Sequence, residues 1–117
     1  REDYSQQLMT DGAETMSGSL VMVKSNGSYG LDFAELEVVP SSYDDDGYYL
    51  ANTNIYKTAT LGSDARIVLL EDDIPVVSSA DELIDENDED TFYTVYFLGS
   101  SAELIIEVDP ENMIVGE

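Results

Sequence analysis

The sequence contains no cysteine, histidine or tryptophan, and only four basic residues stand against 26 acidic ones. Each absence removes a class of chemistry. Without cysteine there is no disulfide framework, iron–sulfur cluster or thiolate zinc site. Without histidine there is no Ser-His-Asp triad, no Cys-His pair and no imidazole-rich metal centre. A formal charge of −22 repels nucleic-acid phosphates, and two lysines with two arginines cannot form a basic footprint, so no nucleic acid is expected as partner. The same field opposes adsorption to anionic membranes. No apolar run approaches the roughly 18–20 residues of a membrane span, so no membrane insertion is expected of this domain.

What is present suffices for a folded core. A length of 117 residues suits one domain. Leu, Ile, Val and Phe make up about a quarter of the chain, above the roughly 20% below which disorder is expected. Eight tyrosines add to that apolar stock. The chain starts at Arg1 rather than Met and is expected to be a trimmed piece of a longer product. The absence of a signal peptide then leaves the compartment open.

The N-terminal stretch is polar and lacks a clean period. Gln6 to Met9 suit a short helix, Asp11 and Glu14 have capping-box spacing, and Gly12 and Gly18 argue against a long helix. Residues 1–18 are therefore expected to be a linker or N-terminal segment, and 19–117 a single β-rich domain. Leu20-Val21-Met22-Val23 precedes Asn26-Gly27, a strong signal for a type I′ hairpin. The returning strand would span Gly30–Val39, with Leu31 and Phe33 on one face and Pro40 at its end. Ser41–Gly47 is a loop by composition. Tyr48–Ala51 and Ala65–Leu70 read as further strands. Ser79 and Glu82 form a capping box, which places a short helix over Ser79–Asp85.

Thr91–Leu98 is aromatic and β-branched on both faces, as a central strand would be. After Gly99-Ser100-Ser101, the stretch Ala102–Val108 alternates, placing Leu104 and Ile106 towards the core and Glu103 and Glu107 towards water. The expected fold is mainly β: a small antiparallel β-barrel or sandwich of about six strands with one short helix.

Two segments carry a resemblance. Asp46-Gly47-Tyr48-Tyr49-Leu50-Ala51-Asn52-Thr53-Asn54 and Leu61-Gly62-Ser63-Asp64-Ala65-Arg66-Ile67-Val68-Leu69-Leu70 precede a terminal hairpin ending at Pro110. Together they resemble an uncharacterised β-rich module of secreted bacterial proteins and lipoproteins, over roughly residues 30–110. The resemblance implies an extracytoplasmic location, secreted or anchored at a bacterial cell surface, and assigns no activity.

Candidate sites follow from the carboxylates. Asp44-Asp45-Asp46-Gly47 invites a calcium reading. With Gly47 at loop position 6, however, an EF-hand would place Ser42 at position 1 and Thr53 at position 12, where acidic ligands belong. A solvated acidic turn is the better reading. Asp85–Asp90 suits a gatekeeper beside a hydrophobic strand, and Glu71-Asp72-Asp73 is similar. A carboxylate-pair hydrolase needs separations of about 5–9 Å, which so many acids meet by chance. Lys24 or Lys57 with Asn52 or Asn54 offers an isopeptide cross-link, against the plainer reading of solvated lysines. Asn26-Gly27-Ser28 fits the glycosylation pattern, but its turn explains the same residues. Asn52 and Asn54 are expected to bond loop backbone. Tyr43, Tyr48, Tyr49 and Tyr56 are assigned to the core in preference to a surface aromatic cluster.

The resulting expectation is a non-enzymatic, extracytoplasmic binding or accessory module. Its partners would be cations or a basic partner, with no catalytic residue and no cofactor. Calcium is the one candidate ion, and no metal ligand is assigned. The alternatives are a calcium-dependent structural module and, behind it, a hydrolase working with carboxylates alone. Adaptation to high salt would explain the charge without any site.

Overall fold

The computed structural model describes residues 4–113. Helix α1 (Tyr4–Thr10) leads into β1 (Glu14–Ser25) and β2 (Ser28–Pro40). Then come β3 (Tyr48–Glu71), β4 (Ile74–Ser78), α2 (Ala80–Glu86), β5 (Tyr93–Leu98) and β6 (Ser101–Glu107), with a 3₁₀ turn at Pro110–Met113. All six strands join one sheet in the order β2-β1-β5-β6-β3-β4. Because β2 also pairs with β3, five strands close a ring from which β4 hangs.

The hairpin between β1 and β2 forms as expected. Asn26 and Gly27 adopt φ of 53° and 80°, as a type I′ turn requires, and Ser25 pairs with Ser28. The β3–β4 hairpin turns the same way on Asp72 and Asp73, with φ of 51° and 68°. Aspartate tolerates this region because its short side chain can bond locally.

Tyr48–Ala51 and Ala65–Leu70 are the two ends of a single 24-residue strand. Straight, such a strand would run roughly 80 Å, yet the molecule's longest extent is 44 Å. The strand coils, with pairing irregularities opposite Glu35 and opposite Glu103. Its first part pairs with β2 and its second with β6 and β4.

Three expectations need correction. The sheet is mixed, because β6 runs parallel to β3. The connection through β4, α2 and β5 supplies the long crossover that a parallel pair needs. The strands begin at Glu14, inside residues 1–18, expected to be a linker or N-terminal segment ahead of the β-rich domain, because Glu14–Gly18 pairs with β5. Finally, the described residues hold two α-helices rather than one: α1 ends where Gly12, at φ 95°, turns the chain and the Ala13 amide donates to the Leu8 carbonyl.

β5 and β6 pair antiparallel as expected, but the facing of β6 is shifted. Tyr96 pairs with Leu104 and Phe97 with Ala102, so Glu103 is an extra, unpaired residue. This bulge reverses the alternation that the sequence suggested. Ala102 and Ile105 therefore enter the main core, with Phe33, Val95 and Phe97. Leu104 joins Leu8 and Ala13 in a second cluster, where Ile106 packs from the side. α1 thus covers the outer face of β5 and β6, and the Arg66 guanidinium lies 4.0 Å over its Tyr4 ring.

α2 carries the expected capping box: the Glu82 amide donates to Ser79 Oγ at 3.1 Å, and Glu82 Oε1 accepts from the Ser79 amide at 2.8 Å. Its Leu83 is fully buried in the main core.

Candidate binding face

The acidic clusters are largely explained as turns and caps. The Gly47 amide donates to the Asp44 carbonyl at 3.0 Å, so Asp44–Gly47 is a closed turn. Asp72 and Asp73 make the β3–β4 hairpin. Asp88 Oδ1 accepts from the Asp90 amide and from Thr91 Oγ1, fixing the entry to β5. Asn87 lies within the acidic run and pins it down. Its Nδ2 donates to the Leu20 carbonyl at 2.9 Å, and its Oδ1 accepts from the Tyr93 hydroxyl at 3.0 Å.

Two clusters do meet: Asp72, Asp73 and Asp90 line one groove together with Glu107 and Asp109. Glu107 is already engaged there, since its Oε1 accepts from the Leu70 amide at 2.9 Å. Among the described residues, no three acidic side chains are placed to hold a metal ion.

Tyr93 is buried beside this groove. Burial first, and then the charge of Glu107, push its phenol well above the ordinary value of about 10. The raised folded-state value favours the neutral phenol, so this contribution to stability is complete below pH 10 and declines as pH rises further. The urea midpoint is expected to fall as pH rises above about 10. Tyr93→Phe should flatten that fall while lowering stability at pH 7 by about 1–3 kcal/mol, since it leaves Asn87 Oδ1 without its donor. An unchanged alkaline slope in the variant would contradict the assignment.

The asparagines and basic residues also have structural partners. Asn52 Oδ1 accepts from the Asn54 amide at 2.7 Å, and Asn54 bends β3 at φ 66°. All three basic side chains among the described residues stand over aromatic rings: Lys24 over Tyr29, Lys57 over Phe97 and Arg66 over Tyr4. Lys57 also reaches Glu14 at 3.4 Å, and Asn52 Nδ2 donates to the Tyr56 hydroxyl. The lysines and Asn52 thus have partners other than one another.

The tyrosine assignment needs correcting. Tyr43 is 98% exposed on its loop, and Tyr49 and Tyr56 are exposed as well. Those that fill core positions are elsewhere, with Tyr93 foremost.

The feature that sequence reasoning missed is the outer face of β1, β2 and β3. Pairing places Ser19, Ala34 and Tyr56 in one row. Val21, Asp32 and Thr58 make the next, and Val23, Gly30 and Thr60 the third. The alternate residues Leu20, Met22, Leu31, Phe33 and Ala59 fill the core. Val21 and Val23 are each 60% exposed and Tyr56 64%, and among the described residues no helix lies across them as α1 lies over β5 and β6. A signal was present in Leu20–Val23: four apolar residues in succession give a strand two apolar faces, only one of which the core needs. A wider cleft of about 600 Å³ opens at one end of these strands, lined by Ser28, Tyr29, Thr60, Ser63, Ser78 and neighbours. Tyr29 donates there to Asp81 at 2.7 Å.

The chain matches no protein-family model, no curated protein and no solved structure.

Proposed function

We propose that this chain is a non-enzymatic binding module for a basic partner, with the outer face of β1, β2 and β3 as its ligand surface. One observation carries the reading. The fold covers the apolar outer side of β5 and β6 with α1, but leaves Val21, Val23 and Tyr56 bare on the opposite strands. Exposed apolar groups gathered on one face mark interaction surfaces.

The topology supports it. Taken alone, the five ring strands close as 1-2-3-5-4-1, with a parallel third and fifth strand and a helix before the fourth. This is the connectivity of the small Greek-key barrel of the OB type, which binds ligands on its second and third strands. We read the ring as such a barrel, and the charge of −22 turns its preference from nucleic acid to cationic ligands. Among the described residues, no helix is long and apolar enough to cross a membrane. Placement outside the cytoplasm, as a secreted or surface-anchored accessory domain, follows from the sequence resemblance.

Calorimetric titration with three probes tests the reading. These are a 15-nucleotide oligothymidylate, the cationic glucosamine oligomer chitohexaose, and the peptide acetyl-Ser-Val-Thr-Arg-Thr-Val-Ser-amide. Binding by the peptide or the sugar is expected, weakened about ten-fold in the double variant Val21→Ser/Val23→Ser, roughly 1.4 kcal/mol of lost apolar contact. DNA binding at this face, binding indifferent to the double variant, or no binding by any probe would overturn it.

A further inference from the structure

The middle strand of the bare face presents Gly30, Asp32 and Ala34 outward. The glycine and alanine leave depressions between the β1 valines and the β3 side chains, and the carboxylate stands between them. Two grooves of about 330 Å³ result, one beside Ala34 and one beside Gly30, and Val21, Asp32 and Thr58 line both. Thr58 Oγ1 donates to Asp32 Oδ1 at 3.1 Å, which orients the exposed carboxylate and leaves it acceptor capacity towards solvent. At the Ala34 end, Asn52 holds the Tyr56 hydroxyl at 3.0 Å and so fixes that ring beside the groove.

We propose that this face docks an extended polypeptide segment of the pattern apolar–x–Arg–x–apolar, lying along β2 with its arginine on Asp32. The inference rests on the binding role proposed above and specifies its ligand. Residues i, i+2 and i+4 of an extended segment project to one side at intervals of roughly 6.6 Å, the spacing that Ala34, Asp32 and Gly30 share. Two apolar side chains then fill the depressions while the central cation meets the carboxylate. Arginine suits the centre because its stem lies on apolar surface and its planar head can pair bidentately.

Other occupants fit less well. A divalent ion such as calcium wants six to eight oxygen ligands, and this face offers a single carboxylate. A second copy of the chain, itself at −22, is repelled, as is nucleic acid.

A double-mutant cycle on peptide affinity tests the proposal, using the arginine peptide and its Arg→Gln analogue. Asp32→Asn should weaken the arginine peptide about ten-fold, as loss of a charge-assisted hydrogen bond does. The Gln analogue should lose about as much against the unaltered chain. Against Asp32→Asn, the two peptides should bind alike. Asp45→Asn removes the same unit of charge from the β2–β3 loop and should leave affinity within about two-fold. Circular dichroism will confirm folding, which Asn at position 32 should preserve by accepting the Thr58 bond. Equal losses from Asp32→Asn and Asp45→Asn, or losses that multiply through the cycle, would reduce the attraction to diffuse charge and overturn the proposal. If chitohexaose binds through Val21 and Val23 while the peptide does not, the arginine assignment falls and the binding face stands. If neither binds, both fall.

Discussion

Gly18→Ala is expected to lower stability by about 3 kcal/mol or more, or to prevent folding, because no space exists for one methyl group. Gly18 is buried on β1, opposite Glu35, where the register of β2 against β3 slips by two residues. A Cβ at Gly18 would overlap the Ala34 carbonyl oxygen and sit 2.8 Å from the Leu36 amide nitrogen. Both are backbone atoms of the irregular segment, so no side-chain rotation relieves the clash. Gly62→Ala is a fitting comparison. The atoms nearest a Cβ there belong to the Glu103 carboxylate, the far end of a side chain that can rotate away at the cost of its Ser101 hydrogen bond, and a smaller loss is expected. Urea unfolding of both variants reads the difference, and equal losses would contradict this account of Gly18.

Phe97→Ala should cost about 3–5 kcal/mol, the range for emptying an aromatic position in a closed core. Phe97 is fully buried, its ring 5.7 Å from Phe33 at an interplanar angle of 75°. That edge-to-face geometry predicts a coupling of about 0.5–1.5 kcal/mol in a Phe33/Phe97 double-mutant cycle. The Lys57 ammonium stands 5.1 Å from the Phe97 ring centre, so the substitution also removes the partner of one of the chain's few cations. A loss below about 1 kcal/mol would mean that the ring is not closed around this residue.

Local signals in the sequence were dependable and long-range ones were not. Asn26-Gly27 and the Ser79–Glu82 capping box are short-range devices whose geometry follows from the residues themselves, and both form. The bulge at Glu103 depends on how β6 meets β3 and β5 together, so periodicity alone assigned Leu104 and Ile106 to the main core and missed Ile105. The parallel β3–β6 pair was likewise invisible, since it depends on closure of the whole ring. Asp72-Asp73 stands out in the sequence for its charge, but its positive φ makes it a turn.

The candidate site was legible only in part. Carboxylate runs drew attention because acids cluster along the chain, yet most serve turns and caps. The bare face is assembled from three strands, and its Asp32 is one carboxylate among 26. Only pairing sets it between Gly30 and Ala34 and beside Val21 and Thr58. Doubly apolar Leu20–Val23 was the one sequence clue, and it said that a second face existed without saying what lay on it.

The central claim is that binding is localised on this face and not spread over an anionic surface. An amide chemical-shift map of the ¹⁵N-labelled chain, titrated with the arginine peptide at about 0.15 M salt, tests it most directly. The account predicts shifts concentrated at residues 19–23, 30–34 and 56–60, with Asp44–Asp46 and Asp85–Asp90 little changed. Shifts centred on those acidic loops, with the β1–β2–β3 face silent, would contradict it.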